Sequence, residues 1–230
     1  MSQIQYSGIV ADNKGKLGGT IFQGGHSGNI VKRFTRPYNP QSAQQQDNRV
    51  NWQYLVQRYS ALPPANIAAW VSFAKNYTWY NKLKQPYKPT GQLMYCSVNT
   101  NLFMSGAALI DMPVTPTAGF SLPVITVTTL GTSPPNITCH FLGYTVPTGF
   151  VVNVYATNNL SPGIAFAYKS LKLIGLIPAG TANTYNIVTL YTAMYSYPPA
   201  GRKTFYKFRL VEVASGFASP WVYAFNITGS

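Results

Sequence analysis

Acidic side chains are the scarcest feature of this 230-residue sequence, which has four Asp and Glu residues against seventeen Lys and Arg. Two histidines and two cysteines complete a short inventory of groups that could catalyse a reaction or bind a metal ion. Because most catalytic sites use carboxylates or imidazoles, this composition argues against an enzyme. We therefore expect no catalytic residue, no metal site and no cofactor.

The histidines and cysteines are too isolated in the sequence to suggest a metal centre. His26 lies in a glycine-rich loop and His140 in a predicted strand, and neither has a carboxylate or a cysteine at ligand spacing. Cys96 and Cys139 are far apart, so we interpret both as free, buried thiols. The four carboxylates fall in four different predicted elements, which leaves few ways to form a catalytic pair.

Long apolar stretches are also missing. No run approaches the roughly 20 apolar residues that a membrane-spanning helix needs. The first residues lack the basic segment and apolar segment of a secretory signal peptide. The sequence therefore predicts a chain with no membrane span and no signal peptide.

Hydrophobic residues make up 46% of the chain, charged residues only 9%, and seventeen residues are tyrosine. This hydrophobic content excludes a disordered tail, and tyrosine-rich surfaces are typical of protein interfaces. The net charge of +13 favours an acidic surface or a nucleic acid as a partner. Residues 1–120 carry eleven of the seventeen basic residues.

The first half of the sequence predicts a small β-hairpin followed by three helices. Glycine-punctuated β patterns at 20–23 and 29–35 predict the hairpin. A first helix should begin after Asn39-Pro40, a second should carry Trp70, and a third should begin at Thr90-Gly91. The predicted apolar stripes are Val50, Tyr54, Leu55, Tyr59 and Leu62 in the first helix and Met94, Val98 and Leu102 in the third.

The second half predicts seven β-strands in about 110 residues, the number expected of an immunoglobulin-like sandwich. The strands are expected at 124–130, 136–143, 150–157, 165–173, 184–190, 203–213 and 220–227. In the sixth strand, Tyr206, Phe208 and Leu210 should face the core, because side chains alternate along a strand. Lys207 and Arg209 should then be exposed.

This sixth strand carries a family resemblance. Its Tyr and alternate apolar residues at 206–210 are followed by a Gly-containing turn and Ser-Pro at 215–220. The pattern resembles the penultimate strand of fibronectin type III domains, and the resemblance implies that fold, which hosts many unrelated functions. We thus predict an α+β protein with a docking region at 1–113, a Pro/Thr/Gly linker at 114–119 and an all-β immunoglobulin-like sandwich at 120–230.

A second set of residues carries a resemblance in the N-terminal half. These residues are Asn39-Pro40, Gln44, Arg49, Trp70, Phe73-Ala74, Thr90-Gly91 and Asn99. In this order they resemble an uncharacterised family of phage and prophage structural proteins from Bacteroidota hosts. The similarity covers about residues 14–113 and departs from the family pattern at 62–65.

This resemblance implies a role in virion assembly, and it gives neither an active site nor a position on the particle. We therefore expect a multi-copy structural protein of a bacteriophage virion, assembled in the cytoplasm of the host. We expect a capsid-associated auxiliary, decoration, vertex or head-fibre component whose partners are major capsid, vertex or neck proteins. A homo-oligomer or a symmetric multi-copy array is the expected assembly. The alternatives are a neck or tail component, or a glycan- or nucleic-acid-binding module. The binding surface of such a module would be formed by aromatic residues such as Trp79, Tyr80, Tyr191, Tyr195 and Tyr197.

Two groups of side chains are candidate contact residues. The group predicted to dock to the particle consists of Lys32, Arg33, Arg36, Arg49 and Arg58. The predicted aromatic and basic surface consists of Tyr77, Trp79, Tyr80, Lys82, Lys84, Tyr87 and Lys88. Such alternation can grip a single-stranded nucleic acid by stacking and charge. No zinc-finger, helix-turn-helix or RNA-recognition motif accompanies it, so protein contact is favoured over nucleic acid.

Overall fold

The computed structural model describes residues 2–4, 15–25, 28–33, 43–130, 136–167 and 170–229. These residues form both helices and antiparallel sheets, and this combination confirms the α+β class. The chain divides into two compact units, one of residues 1–97 and 111–113 and the other of 98–110 and 114–230. This division differs from the predicted boundary after residue 113, because the second unit begins within the third helix.

The first unit starts with an antiparallel sheet of four short strands in the order β1-β4-β3-β2. These are β1 (Ser2–Ile4), β2 (Gly15–Leu17), β3 (Thr20–Gly25) and β4 (Gly28–Arg33). β3 and β4 pair in register from Thr20 opposite Arg33 to Gly25 opposite Gly28, which confirms the predicted hairpin. β1 and β2 add one strand to each side of it. His26, in the connecting loop, lies outside the described residues.

Three helices follow at the predicted places, with a small hairpin between the second and the third. The elements are α1 (Ala43–Ser60), α2 (Pro64–Lys75), β5 (Trp79–Tyr80), β6 (Pro86–Tyr87) and α3 (Gly91–Met104). α2 has Pro64 in its first turn, where the missing N–H would have no helical partner. Thr90 precedes α3, and its hydroxyl oxygen accepts a hydrogen bond from the Leu93 amide at 3.2 Å. The predicted start of α1, Asn39-Pro40, is not among the described residues.

Aromatic rings fill the helical core of the first unit around Trp70, which is completely buried. Its ring makes edge-to-face contacts with Phe73 and Tyr95, at centroid distances of 5.9 and 5.4 Å. The indole N–H donates to the backbone carbonyl of Asp111 at 2.9 Å. The Asp111 carboxylate in turn pairs with Arg58 at an N–O distance of 3.0 Å. One residue thus binds both the core tryptophan and helix α1.

The apolar stripe predicted for α1 is only half right. Leu55, Tyr59 and Leu62 are buried, but Val50 is 63% exposed and Tyr54 is also exposed. All residues from 46 to 50 are exposed, so the first half of the helix buries no apolar face. Helical spacing identifies residues that share a face, but it does not show how far along the helix that face is covered.

Seven strands are found among the described residues of the second unit, the number predicted from the sequence. They are β7 (Thr126–Leu130), β8 (Asn136–Thr145), β9 (Phe150–Ala156), β10 (Lys172–Ile177), β11 (Ala182–Asn186), β12 (Lys203–Glu212) and β13 (Val222–Ile227). They form one antiparallel sheet in the order β11-β8-β7 and another in the order β10-β9-β12-β13. Apolar residues of both sheets, including Phe141, Val154 and Phe208, form a single buried core.

The fourth predicted strand is misplaced. It was expected at 165–173, but β10 begins only at Lys172, and the preceding loop leaves Phe166 79% exposed. β10 pairs with β9, and the pairing register shifts between Leu173 and Gly175. Alternation of apolar residues at 165–173 suggested a strand, but a strand also needs a partner for its backbone groups.

The fifth predicted strand is too long at its C-terminal end. It was expected at 184–190, but β11 ends at Asn186, and a short helix, α4 (Val188–Thr192), follows. The side-chain oxygen of Asn186 accepts a hydrogen bond from the Val188 amide at 2.9 Å. A local bond of this kind competes with strand pairing, which explains why the apolar run turns into a helix.

The alternation predicted for the sixth strand, β12, is confirmed. Tyr206, Phe208 and Leu210 are completely buried in the core. Lys207 and Arg209 lie on the opposite face, as predicted, but they are half-buried rather than exposed. Aromatic side chains cover them, in a way described below.

The predicted linker, 114–119, is bonded to the second unit through Glu212. The backbone N–H of Thr117 donates to this carboxylate at 3.2 Å, and the hydroxyls of Thr117 and Ser215 donate to it as well. Burial raises the pKa of Glu212, but the hydrogen bonds from Ser215 and Thr117 outweigh burial and lower the pKa below its ordinary value. This segment is therefore an ordered part of the second unit.

The turn after β12 packs closely against the second half of α3. Gly216 has φ +70°, and a Cβ atom there would lie 2.7 Å from the carbonyl oxygen of Val98 and 2.9 Å from Leu102. The Gly216 carbonyl accepts a hydrogen bond from the Asn101 side chain at 2.8 Å, and Arg209 donates to the same side chain at 3.2 Å. These contacts explain why the second half of α3 belongs to the second unit.

We predict that Gly216→Ala lowers the free energy of unfolding by about 2–4 kcal/mol, because it combines left-handed backbone strain with a clash against backbone. Gly201→Ala is the matched control. Gly201 has φ +74° but nothing within 4 Å of a Cβ atom, so its replacement should cost about 1–2 kcal/mol. Urea denaturation of the full chain measures both. Equal losses would contradict the close packing of this turn.

A second prediction concerns acid. Because the pKa of Glu212 is lowered in the folded state, its stabilising contribution should be complete above the unfolded value near 4.3 and lost as pH falls through the folded value. Unfolding free energies of the wild type and Glu212→Gln, measured between about pH 7 and pH 3, should therefore converge in acid. Asp47→Asn, at an exposed carboxylate, should follow the wild type. A constant gap between wild type and Glu212→Gln would refute the assignment.

Candidate docking surface

The hairpin between α2 and α3 gathers most of the predicted aromatic and basic residues. Trp79 of β5 pairs with Tyr87 of β6, and Tyr80 pairs with Pro86. The rings of Trp79 and Tyr87 meet edge to face at 6.2 Å. We call residues 77–88 the basic hairpin.

The tip of the basic hairpin is fixed by the side chain of Asn81. Its oxygen accepts hydrogen bonds from the amides of Leu83 and Gln85, each at 2.9 Å, and its amide donates to the Gln85 side chain at 2.9 Å. Lys84 has φ +59°, a left-handed conformation that costs a residue with a side chain about 1–2 kcal/mol. This bonded loop exposes Lys82, Leu83 and Lys84 together.

The aromatic members of the predicted surface differ in exposure. Tyr80 is 67% exposed, whereas Tyr77, Trp79 and Tyr87 are half-buried. Tyr77 packs against Phe73 of α2 at a centroid distance of 5.1 Å. The half-buried rings thus attach the basic hairpin to the first unit, and Tyr80 remains as a contact residue.

Lys88 contacts the base of the basic hairpin, and Gly28 lies close to its tip. The Lys88 ammonium donates to the Thr78 hydroxyl at 2.9 Å across the two strands, although its side chain is exposed. Gly28, at the start of β4, lies so close to the tip that a Cβ atom there would be 3.1 Å from the Asn81 amide nitrogen. The N-terminal sheet therefore lies against the basic hairpin.

The basic residues predicted to dock lie on two different elements. Lys32 and Arg33 are at the end of β4, where the Lys32 ammonium donates to Gln23 at 3.1 Å and Arg33 is exposed. Arg49 is exposed on α1. Arg36 lies outside the described residues, so its position stays a prediction.

Arg58, the fifth residue of this group, is already engaged within the first unit. Its guanidinium donates to Asp111 at 3.1 Å and to the Tyr54 hydroxyl at 3.4 Å. The Tyr54 hydroxyl and then the Asp111 carboxylate raise the pKa of Arg58 above its ordinary value, despite partial burial. Arg58 is consequently a structural cation rather than a free docking residue.

The aromatic residues considered for a glycan-binding surface of the second unit are not exposed there. Tyr191 is completely buried and donates to the backbone of Thr157 at 3.1 Å. Tyr195 and Tyr197 are half-buried, and their hydroxyls donate to the carbonyls of Ala156 and Asn136 at 3.4 Å. Burial raises the pKa of all three tyrosines. They belong to the core and its margin.

A basic and aromatic cluster that sequence reasoning missed lies on the second unit. It is on the outer face of the sheet β10-β9-β12-β13. The ammonium of Lys207 lies 4.4 Å from the ring centre of Tyr155 and 4.1 Å from that of Trp221. The Arg209 guanidinium lies 4.9 Å from the same indole ring. The alternation of β12 and β9 turns Lys207 and Tyr155 outward, but only the strand order shows that they are neighbours.

The cysteines and His140 are buried or hydrogen-bonded in the part of the chain that the structure describes. Cys96 and Cys139 are both buried and form no disulfide, and burial raises the pKa of the Cys96 thiol to about 11 and that of Cys139 further. The Nε2 atom of His140 forms a hydrogen bond of 2.8 Å with the hydroxyl of Thr128 on the neighbouring strand. Within the described residues no three His, Cys, Asp or Glu side chains are grouped to hold a metal ion.

We predict that Asn81→Ala releases the tip of the basic hairpin. The amides of Leu83 and Gln85 lose their acceptor, so their hydrogen exchange should accelerate about tenfold, as expected for one lost hydrogen bond. The Lys84 amide donates to the main-chain carbonyl of residue 81 at 2.9 Å and should change less. NMR-detected exchange measures all three amides in one sample. Unchanged rates at Leu83 and Gln85 would show that Asn81 does not hold the loop.

Comparison with known proteins finds no family model, curated protein or solved structure that matches this chain. Its function is therefore inferred from its own residues and surfaces. Among the helices that the structure describes, none is both long and apolar enough to cross a membrane.

Proposed function

We propose that this chain is a multi-copy, non-enzymatic structural protein of a bacteriophage virion, and specifically a capsid-associated auxiliary, decoration, vertex or head-fibre component. The observation that carries the proposal is the basic hairpin, a fixed loop that exposes two lysines, a leucine and a tyrosine. It lies within the segment that resembles phage structural proteins. Its partner would be an acidic patch on a major capsid, vertex or neck protein.

The basic hairpin suits protein contact for three physical reasons. Its Asn81-bonded tip loses little conformational entropy when it binds, because the loop is already ordered. Tyr80 and Leu83 supply exposed contact area, and Lys82 and Lys84 supply charge. Each such contact is weak alone, and repetition over many copies on a particle multiplies the overall strength of attachment.

The distribution of carboxylates supports an acidic partner. The described carboxylates of the first unit are Asp47 and Asp111, and Asp111 is paired with Arg58. Lys82 and Lys84 are therefore available to external carboxylates. The contacts of the potential catalytic groups support a non-enzymatic role. Asp111 and Glu212 accept hydrogen bonds within the protein, and both cysteines are buried.

The second unit is proposed to be an immunoglobulin-like sandwich of the fibronectin type III form. The support is its seven strands, divided between sheets β11-β8-β7 and β10-β9-β12-β13. In the immunoglobulin constant form the fourth strand joins the sheet of the first two. Here the corresponding strand, β10, pairs instead with β9, next to β12 and β13. Such a domain in a virion protein would face outward or bridge neighbouring copies.

We predict that Lys82→Ser combined with Lys84→Asn reduces incorporation into particles by about tenfold, because two exposed attachment charges are lost. Asn is chosen at position 84 because it tolerates left-handed backbone. The matched control is Lys172→Ser with Arg202→Ser, which removes two exposed charges from the second unit. Each pair would be supplied to a phage that lacks the gene, and the protein would be quantified by mass spectrometry of purified particles.

Three outcomes separate the possibilities. Loss of the hairpin pair but not the control pair supports docking through the basic hairpin, and the attachment should also weaken with salt. Full incorporation of the hairpin pair removes this loop from docking. Absence of the wild-type protein from purified particles ends the virion proposal, and tight binding of oligothymidylate by the isolated protein would then favour a nucleic-acid-binding module.

A further inference from the structure

An exposed apolar stripe runs along β13, on the outer face of the sheet β10-β9-β12-β13 of the second unit. Tyr223, Phe225 and Ile227 are 50%, 58% and 47% exposed. They occupy alternate positions on one strand, so their side chains share a face with about 7 Å between neighbours. Three large apolar side chains in a row are unusual on a solvent-facing sheet and indicate a contact surface.

Two lysines of β12 lie directly across from this stripe. The strand pairing places Lys207 opposite Tyr223 and Lys203 opposite Ile227. The Lys203 ammonium lies 4.4 Å from the ring centre of Phe225 and also donates to the carbonyl of Ile164 at 3.0 Å. Positive charge therefore lies across from both ends of the stripe, and Phe205 lies opposite Phe225 between the two lysines.

No carboxylate of the second unit is placed to neutralise these lysines. Glu212 is the one Asp or Glu side chain in residues 98–110 and 114–229. Its carboxylate is occupied by Thr117 and Ser215. Burial lowers the pKa of Lys207, and the charge of Arg209 lowers it further. An external carboxylate would offset both effects.

We propose that the apolar stripe, together with Lys203 and Lys207, is a docking site for an acidic protein segment. Apolar side chains of the partner would pack on Tyr223, Phe225 and Ile227, and its carboxylates would pair with the two lysines. This site uses different residues from the basic hairpin and does not depend on the proposed virion role. It gives the chain a second partner of defined chemistry.

Other occupants fit this surface less well. A polyphosphate has no apolar groups to pack on Tyr223, Phe225 and Ile227, and Arg209, the remaining cation of this face, already donates to Ser219 and Asn101. A glycan needs hydrogen-bonding groups, which Phe225 and Ile227 lack. A second copy of the same face would bring like charges together.

The test is calorimetric titration of the full chain with short synthetic peptides. The first alternates Glu with Leu, the second Lys with Leu, and the third Glu with Ser. We expect the Glu-Leu peptide to bind at least about tenfold more tightly than either of the others, because it alone supplies both contacts. Oligothymidylate and oligogalacturonate are titrated in parallel as the nucleic-acid and acidic-glycan probes.

Variants assign any binding to this face. Phe225→Ser, Tyr223→Ser and the pair Lys203→Gln with Lys207→Gln should each weaken the Glu-Leu peptide by about tenfold. Leu142→Ser, at an exposed residue of the other sheet, is the apolar control, and Lys82→Ser with Lys84→Asn is the charge control. Thermal unfolding shows that each variant is folded before it is titrated, and Tyr223→Ser replaces Phe225→Ser if the latter is not.

The proposal is overturned by any of four results. The first is that the Glu-Leu peptide does not bind the wild type, and the second is that it binds the face variants and the controls equally. The third is that oligothymidylate or oligogalacturonate shows the binding that the face variants abolish, which would assign the face to a polyanion. The fourth is self-association of the wild type that Phe225→Ser removes, which would assign the face to a second copy of the chain.

Discussion

The carboxylate of Glu212 joins segments of the second unit that are far apart in the sequence. It accepts hydrogen bonds from Thr117, ahead of the first strand, and from Ser215, in the turn after β12. That turn places Gly216 against the second half of α3. Glu212, one of four carboxylates in the sequence, thus connects the segment before β7 to the turn after β12, and that turn contacts α3. Asp111 has a similar part in the first unit, where it binds Arg58 and Trp70.

Because the sequence has few carboxylates, most of its lysines and arginines must lie beside groups other than carboxylates or remain exposed. On the second unit, lysines lie over aromatic rings, which offer an attractive electrostatic surface without a counterion. On the basic hairpin, Lys82 and Lys84 stay exposed on a loop that Asn81 holds. The two surfaces therefore differ in chemistry: one offers open charge at a fixed tip, and the other offers apolar area flanked by partly covered charge.

The elements that sequence patterns located well are those whose pattern and environment agree. α3 and β12 have a regular apolar face that is buried, and the predicted positions of α2, α3 and β12 match the structure, although Val71 of α2 is 40% exposed. The errors arise where only one condition holds. Residues 46–50 of α1 have helical spacing but are all exposed, and at 165–173 the strand alternation begins seven residues before β10, which starts at Lys172. Asn186 ends β11 through a local hydrogen bond that apolar patterning does not detect.

The sequence by itself determined the α+β class, the order of the three long helices ahead of the β-rich half, the burial of both thiols and the clustering of bases and aromatic residues at 77–88. These properties depend on composition and on neighbours within a few residues, which a sequence displays directly. Tertiary structure alone decided that α3 is divided between two units, that Arg58 is paired, and that Lys207 lies between Tyr155 and Trp221. The reason is physical: these contacts join residues from different strands or helices, and strand order and helix packing bring them within a few ångströms.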